Sequence, residues 1–182
     1  DGLDYIHIGS GSAIAESYAT FQQYIRELKQ RGVTLAVCSK NDFKNAKEGF
    51  EHPDSVLKFD DFTSFKANWS PKHQNIIDIA TEINIGIDSL VFIDDNPVER
   101  DIVSSQVPSV SVPDVGSDVI HFVDHIDKNG YFEPISLLSD DINRTKYYKD
   151  NKKRVKNQAT FKSYDEFLVS LEMTADIKSF SS

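Results

Sequence analysis

The sequence predicts an α/β fold, a parallel β-sheet covered by helices on both faces, and two observations lead to this expectation. Short apolar runs, VTLAVCS (33–39) and SLVFI (89–93), suit strands that are buried on both faces of a sheet. Amphipathic helical patterns lie between these runs, and helices that alternate with strands connect parallel strands. Ligands of such sheets bind at the carboxyl ends of the strands, so the residues after each strand are the first candidates for a site.

The first part of the chain is predicted to run helix, strand, helix, strand. Apolar residues at three- and four-residue spacing predict a helix over 15–32 that ends at Gly32. The run at 33–39 is the first strand, DFKNAKEGF (42–50) is a short helix, and SVLKF (55–59) is a possible second strand.

The second part continues the alternation. A helix is predicted over 71–86, with Pro71 in its first turn and Gly86 at its end. The strand at 89–93 and a helix over 97–106 follow. Later elements are an edge strand over 107–113 and helices over 118–127, 139–158 and 163–173.

Composition is that of a one-domain globular protein and disfavours two classes of partner. The chain has 182 residues, of which 39% are hydrophobic and 27% are charged. A net charge of −9 argues against a nucleic-acid partner, and the basic run at 149–156 suits a solvated helix face. No apolar run approaches the ~20 residues of a membrane helix, so no membrane partner is expected. Because Cys38 is the single cysteine, an internal disulfide is impossible and a reducing, cytoplasmic setting is predicted.

The stretch LVFIDDNPVER (90–100) places two acids directly after an apolar run and before a helix. Asn96 can cap that helix, Pro97 suits its first position, and Glu99 has the spacing of a capping box. The cap does not need Asp94 or Asp95. Adjacent carboxylates repel unless a cation lies between them or one takes a proton, and Mg²⁺ prefers carboxylate oxygens. The two acids are therefore a candidate Mg²⁺ site, with a role in the helix start alone as the alternative.

Three further residues are candidates for the same site. Ser39 ends the first strand, where its hydroxyl and the following N–H groups suit a phosphate oxygen; the alternative is an ordinary turn residue. Lys72 lies in the first turn of a helix against the preference of the helix dipole, which favours a role in neutralising a phosphate or carboxylate; the alternative is a surface lysine. Cys38 faces away from Ser39 in a regular strand, so a buried cysteine is the default and a nucleophile is the alternative.

The order of Ser39, Lys72 and the pair Asp94–Asp95 resembles motifs II, III and IV of the haloacid dehalogenase (HAD) superfamily. The resemblance covers residues 2–177. Longer blocks are similar to the FkbH-like branch of that superfamily: LAVCSKND, ANWSPK, NIGIDSLVFIDDNPVER and INRTKYY. The fold that this resemblance implies is a Rossmann-like three-layer sandwich with a parallel sheet.

The resemblance also implies a role for each motif residue. Ser39 is expected to hydrogen-bond the transferred phosphoryl group, and Lys72 to stabilise charge on the nucleophile and the phosphoryl oxygens. Asp95 is expected to bind Mg²⁺, with Asp94 supporting the metal shell. These roles agree with phosphoryl transfer, in which catalysis is mostly positioning and charge neutralisation.

One motif of the family has no match in the sequence. Motif I, Asp-x-Asp after an apolar strand, supplies the attacking aspartate and a second metal carboxylate. The resemblance implies that this motif and the central strand of the sheet lie upstream of Asp1, so the chain by itself is expected to be inactive. It further implies an incomplete HAD-like core over 1–115 and a helical extension over 116–182 that leads to a further domain.

The function that the resemblance implies is that of a Mg²⁺-dependent phosphatase or phosphotransferase acting on a small phosphorylated substrate. FkbH-like proteins are associated with a phosphoglyceryl donor and with loading an acyl carrier protein through an enzyme thioester, for which Cys38 is the available thiol. The alternative is a non-catalytic HAD-like module for binding or scaffolding. A two-component receiver domain uses similar residues, but there the acids come first in the chain.

Overall fold

A computed structural model of the chain describes residues 12–133 together with residues 148, 150, 151, 153, 154, 169 and 170. The described elements alternate helix and strand as far as residue 83, and from there on they are helices and turns. The helices are α1 (Ala13–Gln30), α2 (Phe43–Glu51), α3 (Lys72–Ile83), α4 (Pro97–Gln106) and α5 (Phe122–Lys128), and the strands are β1 (Leu35–Ser39) and β2 (Phe62–Ala67). Short 3₁₀ turns lie at Phe59–Asp61, Ile87–Ser89 and Val119–His121.

The strands are parallel, which confirms the predicted α/β class. β1 pairs with β2 in parallel, and α3 packs against both of them. A second parallel contact joins Val91 to Ser111. Its hydrogen bonds are Phe92 N–H to the Ser111 carbonyl at 2.8 Å and Ser111 N–H to the Leu90 carbonyl at 3.0 Å. Within residues 12–133, β1 pairs with β2 alone.

Local signals account for both ends of α1. The Ser12 hydroxyl accepts a hydrogen bond from Ala15 N–H at 3.2 Å, which caps the first turn. At the other end Gly32 has φ +98°, a left-handed conformation that favours glycine. Gly32 N–H bonds to the Lys29 carbonyl and Val33 N–H to the Leu28 carbonyl, each at 3.0 Å, as in a Schellman motif. Gly32 therefore ends the helix as predicted.

The predicted strand at 55–59 was wrong, and β2 was missed. The Gln22 side chain of α1 accepts hydrogen bonds from Leu57 N–H at 2.9 Å and from the Ser55 hydroxyl at 3.2 Å. These contacts attach the segment to a helix and not to a strand. β2 is not a continuous apolar run, because Ser64 interrupts it. Ser64 is nevertheless buried, and its hydroxyl donates a hydrogen bond to Glu82 of α3 at 2.8 Å.

Other expectations were wrong in detail. Asn84, in the left-handed region at φ +55°, ends α3 two residues before Gly86. Pro71 is the N-cap of α3 and not a residue of its first turn. Ala36 is exposed, so β1 is not buried on both faces among the described residues. The strands predicted at 89–93 and 107–113 reduce to the Val91–Ser111 bridge.

Two apolar clusters form the core of the described residues. The first lies between α3, α4 and the segment that leads to the acid pair, and it contains Ile76, Phe92, Val103, Val107 and Val110. The second joins α1 to the segment after residue 114, and it contains Val115, Val119, Phe122 and Ile126 packed against Tyr18, Phe21 and Tyr24.

The predicted helical extension from residue 116 thus begins with residues that pack on α1. Its first predicted helix, 118–127, is a 3₁₀ turn followed by α5. Most of the helices predicted over 139–158 and 163–173 lies outside the described residues, and the described positions among them are helical. In the described part of the chain, no helix combines the length and apolar character needed to cross a membrane.

Candidate active site at the sheet edge

The loop between β2 and α3 brings Lys72 to the carboxyl end of β1. Asn68 N–H donates to the Ser39 carbonyl at 3.1 Å, which continues the strand pairing by one residue. The Asn68 and Asn75 side-chain amides bond to each other at 2.9 and 3.2 Å, and Ser70 N–H donates to the Asn68 side chain at 3.0 Å. Asn75 is buried, so these bonds satisfy its amide and define where α3 begins, with Lys72 as its first residue.

Lys72 and Asp94 form a buried ion pair. The Lys72 ammonium donates to Asp94 Oδ2, and the two side chains are only 12% and 5% exposed. Asp94 Oδ1 accepts a second hydrogen bond from Asn96 N–H at 3.0 Å. Both carboxylate oxygens are therefore satisfied within the protein, as a buried charge requires. The Lys72 ammonium thus lies against one carboxylate of the acid pair.

Asp95 has a different environment from its neighbour. It is exposed, and within the described residues its carboxylate makes no recorded hydrogen bond or ion pair, although its carbonyl accepts one from Arg100. Its charge still acts on α1: burial first, and then the Asp95 carboxylate, raise the pKa of the Tyr18 hydroxyl above its ordinary value. As far as residues 12–133 are concerned, the carboxylate oxygens of Asp95 are thus left without a hydrogen-bond partner at the sheet edge.

These donors fit Mg²⁺ in kind. Mg²⁺ takes hard oxygen ligands, is commonly held by one or two carboxylates, and keeps several waters. Asp95 offers such a carboxylate, whereas both carboxylate oxygens of Asp94 are bonded to Lys72 and to Asn96 N–H. In residues 12–133 no three side chains of His, Cys, Asp or Glu converge on one point. Of the two acids, Asp95 is the one whose carboxylate accepts no recorded hydrogen bond within the described residues.

Ser39 and Cys38 end β1 in different surroundings. Ser39 is half-buried, its carbonyl bonds to Asn68, and its hydroxyl has no recorded partner within the described residues. Cys38 packs against the first apolar cluster, and its thiol lies 3.6 Å from the Lys72 carbonyl. Burial raises the pKa of the Cys38 thiol to about 12. The Lys72 ammonium lowers this pKa, and the Asp94 and Glu99 carboxylates raise it further. This environment disfavours the thiolate that a nucleophile needs.

We expect Cys38 to resist alkylation near neutral pH. With a pKa of about 12, its thiolate fraction at pH 8 is on the order of 10⁻⁴. Iodoacetamide should therefore react on the order of 1000-fold more slowly with the folded chain than with the urea-unfolded chain. Because the pKa is raised, the rate should climb about tenfold per pH unit from pH 7 to 10 without a plateau. A plateau below pH 9 in the folded chain would contradict this picture; intact mass against time measures it.

The start of α4 was predicted in part. Asn96 caps the helix by accepting a hydrogen bond from Val98 N–H at 2.9 Å, and Pro97 is its first residue. The capping box was wrong. Asn96 N–H donates to Asp94 and not to Glu99, whose carboxylate accepts from the Lys40 ammonium. The reason is tertiary: Lys40, directly after β1, supplies a charged partner for a buried carboxylate.

Two residues at this edge were missed by sequence reasoning, Lys40 and Arg100. Arg100 is buried and donates hydrogen bonds to the carbonyls of both acids. A signal existed: like Lys72, Arg100 is a cation near the start of a helix, where the helix dipole disfavours positive charge. The same reasoning that selected Lys72 applies to Arg100.

Comparisons with known proteins support a shared fold with a phosphatase domain. No family model and no curated protein matches this chain. A solved structure that does match is the crystal structure of the N-terminal part of the protein BF1531 from Bacteroides fragilis, which contains a phosphatase domain complexed with Mg. The identity is 44% and the TM-score 0.70, over 72% of this chain. The match spans about a third of that solved chain, 35%.

Proposed function

We propose that this chain carries part of the active site of a Mg²⁺-dependent phosphatase or phosphotransferase of the HAD superfamily. The observation that supports this most is the buried Lys72–Asp94 pair beside the exposed carboxylate of Asp95. The similarity to a phosphatase domain that was crystallised with Mg adds independent support. The residue roles below are part of the proposal.

In this proposal each residue acts on a small phosphorylated substrate. Ser39, whose hydroxyl at the end of β1 has no recorded partner within the described residues, donates a hydrogen bond to the phosphoryl group. Lys72 contributes positive charge at the same edge, and its bond to Asp94 holds its ammonium in place. Asp95 would hold Mg²⁺, which when bound neutralises charge on the phosphoryl oxygens. Asp94 orients Lys72 and, through Asn96 N–H, the start of α4.

The proposal includes a further parallel strand between β1 and residues 90–93. Both segments pack on one apolar cluster, because Cys38 and Leu90 contact the cluster of Ile76 and Phe92. Within residues 12–133, however, no backbone hydrogen bond joins the two segments. Unpaired strand edges of this kind require partners. A strand ending in Asp-x-Asp would complete the sheet and bring the attacking aspartate to the same edge as Asp95.

The finer assignment, to the FkbH-like branch, rests on the sequence blocks named above. It carries the proposal of a phosphoglyceryl donor and of an acyl carrier protein as acceptor. A thioester on Cys38 is disfavoured, because the thiol packs against the first apolar cluster and its pKa is raised to about 12. We therefore propose that loading of the carrier does not pass through a thioester on Cys38.

Phosphate release from a small acyl phosphate and from p-nitrophenyl phosphate tests the proposal. The full-length polypeptide should release phosphate with Mg²⁺ and stop when EDTA is added. Ca²⁺ should substitute poorly, because it prefers more ligands at longer distances than Mg²⁺. Absence of Mg²⁺-dependent release from a polypeptide that contains an Asp-x-Asp strand would favour the alternative, a non-catalytic binding or scaffolding module.

A further inference from the structure

Arg100 is a buried cation that lies close to the acid pair. It is 8% exposed and occupies the fourth position of α4, where the positive end of the helix dipole disfavours a cation. Burying a guanidinium at such a position costs free energy unless hydrogen bonds and opposite charge offset it. The contacts that offset this cost therefore indicate the role of Arg100.

The Arg100 guanidinium donates to three main-chain carbonyls. Its Nη1 lies 2.8 Å from the main-chain carbonyl oxygen of Asp94, 3.2 Å from that of Asp95 and 3.0 Å from that of Gly116. Its Nη2 donates to Asp114 Oδ1 at 2.8 Å. Asp114 also accepts from Gly116 N–H at 3.1 Å, so the loop at 114–116 is held against the acid pair. A planar guanidinium with fixed donor directions can serve such a set, whereas a lysine ammonium is a point charge with three donors.

These contacts matter more for Asp95 than for Asp94. The Asp94 carboxylate is held directly, by Lys72 and by Asn96 N–H. The Asp95 carboxylate has no recorded side-chain partner among the described residues, so its main chain sets the position of its Cβ and with it the region that the carboxylate can reach. Arg100 bonds to the carbonyls on either side of the Asp95 nitrogen and α-carbon and so restrains both flanking peptide planes.

We propose that Arg100 is a positioning residue that holds the main chain of the Asp94–Asp95 pair, so that the Asp95 carboxylate is aligned for a divalent cation. This inference rests on the proposed function, because it assigns the cation to Asp95. It gives Arg100 a role in cation affinity and not in the chemical step. Outer partners that orient a metal ligand typically change metal affinity by about 10- to 100-fold.

Arg100→Lys tests the role, with Asp114→Asn as the matched control. Mn²⁺ is the probe, and its free concentration is read by electron paramagnetic resonance on the full-length protein. Arg100→Lys should raise the Mn²⁺ dissociation constant by about 10- to 100-fold. Asp114→Asn keeps the three carbonyl contacts and should leave the constant within about twofold, since its side chain is exposed. Circular dichroism checks that each variant is folded. If Arg100→Lys does not fold, the Mn²⁺ dissociation constant of Arg100→Gln is measured in its place.

The Mg²⁺ dependence of phosphate release distinguishes a positioning role of Arg100 from a role in stability alone. The Mg²⁺ concentration for half-maximal phosphate release should rise by the same factor in Arg100→Lys, while the rate at saturating Mg²⁺ stays near that of the unchanged protein. A purely structural role would scale the rate at every Mg²⁺ concentration and leave the midpoint in place. Unchanged Mn²⁺ affinity in a folded Arg100 variant would overturn the inference and leave the proposed function standing. Mn²⁺ binding that depends on Arg100, without phosphate release by the unchanged protein, would refute the proposed function alone.

Discussion

Asp95→Asn in the full-length protein should lower Mg²⁺-dependent phosphate release by at least about 100-fold while the fold persists, since a catalytic metal ion contributes several kcal/mol. The substitution keeps the size of the side chain but removes the charge that the proposed metal site needs. Because Asp95 is exposed and its carboxylate has no recorded partner among residues 12–133, little stability should be lost. Phosphate release and a thermal melt on the same preparation measure the two effects.

Asp101→Asn is the matched control for this variant. Asp101 is an exposed aspartate on α4, six positions after Asp95, and it lies outside the proposed site. Its replacement should leave both turnover and melting temperature close to the unchanged protein. Turnover in Asp95→Asn equal to that of Asp101→Asn would remove Asp95 from the metal site, and with it the central residue of the proposal.

The second large effect is on stability. Lys72→Met should destabilise the chain by about 3–5 kcal/mol, because it leaves the charge of buried Asp94 without its partner. Methionine keeps much of the apolar length of the lysine stem, so lost packing contributes little to this change. Urea unfolding followed by circular dichroism gives the change in unfolding free energy from the shift of the midpoint.

A double-mutant cycle isolates the ion pair from other effects. Adding Asp94→Asn to Lys72→Met removes the unpaired charge, so the double variant should be more stable than Lys72→Met alone. Lys44→Met is the control, because Lys44 and Glu48 form an exposed pair at 3.8 Å on α2, and its cost should stay within about 0.5 kcal/mol. Equal costs for Lys72→Met and Lys44→Met would mean that the Lys72–Asp94 contact contributes nothing special.

Much of the fold was predictable because its signals are local. The end of α1 follows from the apolar spacing and Gly32, and the start of α4 follows from Asn96 and Pro97, whereas the Ser12 cap, which starts α1 at Ala13, was not predicted. Where local signals were weak, the predictions failed. β2 was missed because Ser64 interrupts its apolar pattern. The buried Ser64 hydroxyl bonds to Glu82 of α3, and the sequence of β2 alone does not reveal that partner.

The sequence by itself determined the class of the fold and the residue types at the carboxyl ends of its strands, because turn chemistry and hydrophobic periodicity act between near neighbours. It also singled out Ser39, Lys72, Asp94 and Asp95. Only the tertiary structure decided how the two acids differ. Asp94 is buried against Lys72, 22 residues away in the chain, and Asp95 is exposed. The same holds for Lys40 with Glu99, 59 residues apart. Such partners depend on how α3 and α4 pack against the strands, and no local pattern specifies that packing.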